Sequence, residues 1–328
     1  MMPHGTVEVQ TGWVGGGIIN LGELGEFGLI GALASWLPAG PTVLTGIGDD
    51  AAVLSAPDGR VVATTDFVIE GRHFRRDWSS ASDVGHKAAA RSLADVAAMG
   101  AVPTGLLVAL AAPPDLAVPW LRELALGLAD ECALVGASVA GGDTSRSSSV
   151  LLAVTGLGDL AGLAPVLRSG ARPGDVVAVA GRLGYAAAGL ALLTAGAAGP
   201  AELIEAQLRP SPPYDAGPEA ARLGATAMID VSDGLLADLG HIADASDVLV
   251  EVSSAPLKDP FIRTHCGDTA ELTFILTGGE DHALVATFPA DVELPPRWKP
   301  IGSVRPGRGV TVDGSPHTGA AGWDHFRP

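Results

Sequence analysis

Four apolar runs in this chain end in a tight glycine or serine turn that carries carboxylates. They are Gly46-Ile47-Gly48-Asp49-Asp50, Gly141-Gly142-Asp143-Thr144, Asp230-Val231-Ser232-Asp233-Gly234 and Gly278-Gly279-Glu280-Asp281. A fifth group, Thr64-Thr65-Asp66, closes the strand-like run that starts at Arg60. Each places acidic side chains where a strand ends, beside glycines that let another group approach the backbone. Gly, Asp and Ser are also ordinary turn residues, so a single loop of this kind is explained by turn formation alone. Five in one chain are not. Carboxylates in that setting suit hard divalent cations that bridge phosphates.

The rest of the composition bounds the reading. With 328 residues the chain is long enough for two domains or one large one, and its Ala-, Gly- and Val-rich, 47% hydrophobic sequence reads as globular and mixed α/β. The net charge of −17 argues against nucleic acid, whose phosphates demand clustered Lys and Arg. A solvated acidic surface accounts for most of that charge, yet an acidic enzyme still binds anions where metal ions reverse the local field. Cys132 and Cys266 have no metal-type spacing and read as free thiols of a reducing cytoplasm. No Lys or Arg precedes Arg60, so the start lacks the positive region of a signal peptide. The uncharged stretch 183–201 is Ala- and Gly-rich and reads as a buried helix with its loop, not a membrane span. A cytoplasmic location is expected.

Residues 1–22 are glycine-rich without periodicity and read as a disordered extension. Spacing predicts a helix over 26–37, strands over 43–47, 51–54 and 60–67, and a helix capped by Ser82 that stops at Gly100. A strand over 105–111, a helix over 118–134 and a strand over 150–156 complete an α+β unit. The patternless segment 158–174 marks a domain boundary. Beyond it come a strand over 175–180, the Ala-rich helix, a helix over 216–223, a strand over 226–231, a helix over 235–245 and a strand over 248–252. Phe274-Ile275-Leu276 then runs into the Gly278-Gly279-Glu280 turn, and a strand leaves it over 282–288. Short strands and turns alternate in the tail.

Several nucleotide and hydrolase chemistries are excluded. There is no Gly-x-x-x-x-Gly-Lys-Ser/Thr loop, no His-Arg-Asp or Asp-Phe-Gly of protein kinases, no Gly-x-Ser-x-Gly and no His-Glu-x-x-His. A carboxylate-rich site with few candidate bases remains, which fits phosphoryl transfer driven by positioning and metal electrostatics. Asp95 sits inside a predicted helix four residues after Arg91, so it reads either as an i,i+4 ion pair or as a metal ligand facing the loops.

The ordered set of motifs is more specific than any one of them. Gly25-Glu26-Phe27, Gly46 to Ala52, Thr64-Thr65-Asp66, Glu70-Gly71-Arg72-His73-Phe74, Leu93 to Ala101, Gly141 to Thr144, Asp230 to Leu235 and Gly278 to Asp281 follow one another. In this the chain resembles the thiamine-monophosphate kinases of the aminoimidazole ribonucleotide synthetase-like superfamily, from about Gly25 to the C-terminus. The resemblance implies ATP- and Mg²⁺-dependent transfer of a γ-phosphoryl group to thiamine monophosphate, with several Mg²⁺ ions and ATP as co-substrate. Matched position by position, it implies metal ligands at Asp50, Thr64, Thr65, Asp66, Asp95, Asp143, Asp230 and Asp233, with Asp49 as a further participant. It implies ATP contacts at Gly142, Asp143, Arg168 and Ser232, and substrate contacts at His73, Glu280 and Trp323.

The fold it implies is α/β (α+β) in two domains. An N-terminal mixed-sheet domain, about 23–160, would bind ATP and Mg²⁺ and pair with its copy in a homodimer; a C-terminal α/β domain, about 161–328, would close over the substrate. Within the superfamily, a selenophosphate synthetase would carry a reactive Cys or Sec near the first glycine loop, whereas the first cysteine here is Cys132. The ribonucleotide synthetase itself and a catalytically dead phosphate-binding protein are the alternatives. The latter would have lost metal carboxylates that are all present in this sequence. The chemistry agrees with a kinase. A phosphate acceptor is mostly dianionic near neutral pH, since its second pKa is about 6, and needs no general base. The difficulty is repulsion, about 4 kcal/mol per pair of unit charges at 4 Å and an effective dielectric near 20. Bound cations and their carboxylates answer it.

Overall fold

The computed structural model describes residues 13–14, 17–47 and 51–323, and the chain forms two compact units, Met1–Leu93 with Pro103–Asp159, and Ala94–Val102 with Leu160–Pro328. In the first, Trp13–Val14 (β1) pairs with Gly17–Ile18 (β2), and Asn20 opens the helix Leu21–Trp36 (α1). Gly25, at φ 69° and ψ 169°, is non-helical and breaks this span, so the helix predicted from 26 is its second part. A short first part precedes it, opened by a capping box in which the Glu23 N–H donates to the Asn20 Oδ1 (3.1 Å) and the Asn20 N–H to Glu23 (2.9 Å). Val43–Thr45 (β3) and Val53–Leu54 (β4) make a small ladder.

Val62–Ile69 (β5), the helix Ala81–Ala98 (α2), Val102–Ala112 (β6), the helix Val118–Ala133 (α3), Val139–Arg146 (β7) and Leu151–Asp159 (β8) follow. The strands form a mixed sheet in the order β5-β8-β6-β7, with β5 antiparallel to β8 and β6 parallel to β7. The apolar stripes of α2 and α3 bury Ala88, Ala89, Leu93, Leu121 and Leu124. The two helices cross at Gly85 and Gly127, where a Cβ would lie 2.2 Å from the Leu124 and Ser82 carbonyl oxygens respectively.

Ser82 does not cap α2. Ser80 does: its Oγ accepts the Asp83 N–H (3.1 Å), while its own N–H and hydroxyl donate to Asp83 Oδ2 (2.8 and 2.7 Å). Ser80→Ala is therefore expected to cost about 1 kcal/mol of stability, read as a lower urea midpoint, whereas Ser82→Ala leaves the midpoint nearly unchanged.

The second unit is built on one seven-stranded sheet. Its strands are Val176–Ala180 (β9), Ala227–Val231 (β10), Leu249–Val252 (β11), Ala283–Phe288 (β12), Lys299–Arg305 (β13), Gly309–Val312 (β14) and Ser315–Pro316 (β15), in the order β10-β12-β9-β13-β11-β14-β15. Only β11 and β14 run parallel among these neighbours. The helices are Tyr185–Ala195 (α4), Ala201–Leu208 (α5), Ala216–Leu223 (α6), Leu235–Ser246 (α7), Pro260–Cys266 (α8) and Asp268–Thr277 (α9). Val177, Val179, Ile229, Leu235, Leu239 and Val285 are among the core residues.

Mixed α/β architecture is as expected, with local differences. Gly141-Gly142-Asp143-Thr144 is not a turn but the middle of β7, and Gly142 is required because a Cβ there would lie 1.8 Å from the Val108 carbonyl oxygen. Thr64-Thr65-Asp66 likewise lies inside β5 rather than at its end. Phe274-Ile275-Leu276 is the last turn of α9, and the segment after the Ala-rich helix folds as a separate helix, α5. No helix among the described residues is long and apolar enough to cross a membrane.

Candidate active site

In the second unit β9 and β10 both run antiparallel to β12, so the ends of the first two and the start of the third lie at the same sheet edge. Three acid- or glycine-bearing loops gather there: residues 181–184, 232–234 and 278–282. The latter two are bonded together. The Glu280 N–H donates to the Ser232 carbonyl (2.8 Å) and the His282 N–H to the Val231 carbonyl (2.9 Å). Contact is so close at Gly279 that a Cβ would lie 2.3 Å from the Ser232 carbonyl oxygen. Glu280 (φ 70°) and His282 (φ 50°) adopt left-handed backbone, which costs a non-glycine residue of order 1–2 kcal/mol and is held here by those bonds. The tail returns to the same place: the Trp323 N–H donates to the Asp233 carbonyl (2.9 Å), while its side chain stays 57% exposed. Ser232, Asp233, Glu280 and Trp323, separated by up to 91 positions, are thus neighbours.

The carboxylates at this edge divide by their partners. Asp238 accepts the Asp233 and Gly234 N–H groups (3.1 and 3.0 Å) at the start of α7. Burial, reinforced by the charges of Asp230 and Asp233, pushes its carboxyl up to about 7. Asp281 accepts from Gly184 (2.5 Å) and Ala186 (2.8 Å) at the start of α4. Burial raises it to about 6, against the pull of those two N–H groups. Both are helix caps that pin the loops. Asp230, only 5% exposed on β10, meets the His282 imidazole at 3.0 Å instead.

In the first unit, strand alternation turns Thr64 and Asp66 to one face of β5 and Thr65 to the other. Asp66 accepts from Ser92 Oγ (3.0 Å) on α2 and lies 3.8 Å from the Arg91 guanidinium, whereas Thr65 Oγ1 bonds Thr155 Oγ1 (3.2 Å). Asp143 is exposed on β7, and among the described residues its one hydrogen bond is from the Thr144 N–H (2.8 Å). β5 and β7 are opposite edges of the sheet, so Asp66 and Asp143 are separated by three strand spacings, about 14 Å. His73 accepts the Ile69 N–H at Nδ1 (3.0 Å), which leaves its proton on Nε2, and its carbonyl is held by the nearly buried Lys87 ammonium (3.2 Å). Asp95 is half-buried on α2. Arg168 is exposed, its carbonyl accepting from Ser246 Oγ (3.0 Å). Asp49 and Asp50 lie outside the described residues.

Among the described residues no three His, Cys, Asp or Glu side chains form a ready metal cage. Mg²⁺ keeps several waters and is usually held by one or two carboxylates together with substrate phosphates. The donors on offer, exposed Asp143 and the hydroxyl-flanked Asp66, are the hard oxygens it takes. Sequence reasoning did not find Asp238, Lys87 or His282. Asp238 carried a signal, an acid four residues after the glycine that opens a helix; His282 carried none, because its partner is 52 positions away.

Comparison with known proteins agrees with this architecture. Residues 48–160 match the family described as AIR synthase related protein, N-terminal domain, and residues 172–314 match its C-terminal domain. A thiamine-monophosphate kinase of Mycobacterium tuberculosis is 47% identical over 312 residues, covering 94% of this chain and 93% of that one. The crystal structure of a thiamine-monophosphate kinase from Stenotrophomonas maltophilia superposes with a TM-score of 0.76 at 35% identity, over 84% of this chain and 92% of that one. A structure of AaThiL complexed with AMPPCP and TMP gives 0.76 at 34% identity, over 94% and 99%. The two-unit fold with its acidic loops is that of the AIR synthase related proteins. Within them, the chain belongs to the thiamine-monophosphate kinase family.

Proposed function

We propose that this chain transfers the γ-phosphoryl group of ATP to thiamine monophosphate, giving thiamine diphosphate and ADP. The observation that carries the reading is the convergence of Ser232, Asp233, Glu280 and Trp323 at one sheet edge, in a chain 47% identical over nearly its whole length to a kinase of that name. The AaThiL complex with an ATP analogue and TMP supports the same pair of substrates.

Asp50, Thr64, Thr65, Asp66, Asp95, Asp143, Asp230 and Asp233 are assigned to Mg²⁺. Gly142, Asp143, Arg168 and Ser232 are assigned to ATP, and His73, Glu280 and Trp323 to thiamine monophosphate. Bound Mg²⁺ offsets the repulsion between the two polyanions and the charge that develops on the transferred group. The chain's own contribution is position. The caps Asp238 and Asp281 fix the loops that carry Asp233 and Glu280. Glu280 provides an acceptor for the aminopyrimidine or a counter-charge for the thiazolium. The exposed Trp323 ring offers a stacking face. His73, with its proton on Nε2, offers a donor to a phosphate oxygen. No residue is needed to deprotonate the acceptor.

Residues 23–160 are assigned as the ATP-binding and dimerisation domain and 161–328 as the substrate domain. A homodimer is supported by the outer face of the edge strand β5 and its approach, where Val61 and Phe67 are 55% and 58% exposed. Supply of ATP and the unpaired Cys132 and Cys266 thiols favour a cytoplasmic location.

The acceptor is tested by incubating the protein with ATP and Mg²⁺ and, separately, thiamine monophosphate, free thiamine or an aminoimidazole-pathway substrate. Product from the monophosphate alone, lost on adding EDTA, is the expected result; preference for another acceptor would overturn the reading. Trp323→Ala is expected to raise KM for the monophosphate roughly 3- to 10-fold with little change in kcat, as fits a stacking contact worth about 0.5–1.5 kcal/mol, and Trp323→Phe to restore most of it.

A further inference from the structure

The second unit's sheet edge holds three buried carboxylates that are used differently. Asp238 and Asp281 each accept two backbone N–H groups and are committed to helix starts. Asp230 has no such bond. Among the described residues its side chain has one hydrogen-bonding partner, His282 Nδ1, 3.0 Å from Oδ2. An ionised carboxylate only accepts, so Nδ1 carries the hydrogen and donates it. His282 itself is 2% exposed, and its left-handed backbone, φ 50°, is held by the N–H bond to Val231. Backbone strain in a buried histidine, directed at a single carboxylate oxygen, needs a reason that packing alone does not supply.

We infer that His282 is a positioning residue for the metal site: by occupying Asp230 Oδ2 it fixes the carboxylate so that Oδ1 is presented to a cation. The inference rests on the assignment of Asp230 to Mg²⁺ made above. A carboxylate held by one strong donor has one orientation to lose on binding rather than several, and partners of this kind, one step removed from a metal, typically set its affinity by 10- to 100-fold. Asn suits the site as a substitute, since its amide reaches the place of Nδ1 and it tolerates left-handed backbone.

The test is Mn²⁺ binding followed by electron paramagnetic resonance, with the ATP analogue AMPPCP present and no turnover. Wild type is compared with Asp230→Asn, His282→Leu and His282→Asn. Expected are a 10- to 100-fold weaker Mn²⁺ affinity in His282→Leu and recovery to within a few-fold of wild type in His282→Asn. Should the Leu variant not fold, His282→Gln replaces it, because its amide reaches toward Nε2 and leaves Oδ2 without a donor. Wild-type affinity in His282→Leu or Gln, with Asp230→Asn impaired, overturns the inference alone; equal loss in Asn and Leu does the same, by showing only a packing role. Wild-type affinity in Asp230→Asn removes Asp230 from the metal site and the inference with it.

Discussion

Asp143→Asn is expected to lower kcat by about 10³-fold while leaving the thermal midpoint within a degree or two of wild type. Asp143 is exposed and its one local partner is the Thr144 N–H, which an asparagine oxygen accepts equally well. Among the described residues no ion pair depends on its charge. The substitution removes one negative charge from the cation's surroundings, an interaction of about 4 kcal/mol at 4 Å and an effective dielectric near 20. At about 1.4 kcal/mol per decade that is three orders of magnitude in rate. Asp66→Asn is expected to behave alike, with a small additional loss of stability, because Asp66 also faces the largely buried Arg91 guanidinium at 3.8 Å. Steady-state kinetics across a Mg²⁺ titration, with a melting curve for each variant, checks both. Full activity with normal Mg²⁺ dependence in either variant removes that residue from the site.

The second large effect is at Gly279. An alanine Cβ would stand 2.3 Å from the Ser232 carbonyl oxygen, and both sides of that contact are backbone, so neither can rotate away. The loops 232–234 and 278–282 must separate, which breaks the Glu280 to Ser232 hydrogen bond. Overpacking of this kind costs about 1–3 kcal/mol. Gly279→Ala is therefore expected to lower the melting temperature by several degrees and to raise KM for the monophosphate, since Glu280 moves with its loop. Gly240→Ala in α7 is the control: apart from the adjacent backbone of its own helix nothing lies within 4 Å of its Cβ, and the change is expected to be neutral or stabilising by up to about 1 kcal/mol. Equal melting temperatures for the two variants would show that the close approach at Gly279 does not hold the loops.

How far the chain could be read before folding depends on the range of the interactions concerned. Helix α6 lies at its predicted position because its limits are local: Pro212 and Pro213 precede it and Gly224, at φ 80°, ends it. α2 was placed correctly but capped two residues late, since Ser80 and Ser82 are equivalent in sequence and only the bond to Asp83 separates them. Gly141-Gly142-Asp143 reads as a turn because glycine pairs usually are, whereas here the missing Cβ serves the close packing of β7 on β6. Phe274-Ile275-Leu276 has strand composition and a helical fate, decided by burial of Ile275 and Leu276 in the core of the second unit. Among the candidate site residues, their types and order were legible, but their grouping was not. Trp323 meets Asp233 across 90 positions, and Asp66 and Asp143 sit on opposite strands of one sheet. The use of Asp238 and Asp281 as caps, and the His282 bond to Asp230, are visible only once the strands are paired.

The central claim is that the γ-phosphoryl group passes to a phosphate acceptor, and a label on that group tests it most directly. With γ-labelled ATP, Mg²⁺ and thiamine monophosphate, the account predicts label in the terminal phosphate of thiamine diphosphate, one for each ADP formed. Label released as inorganic phosphate in step with ADP, with none in thiamine diphosphate, would contradict it.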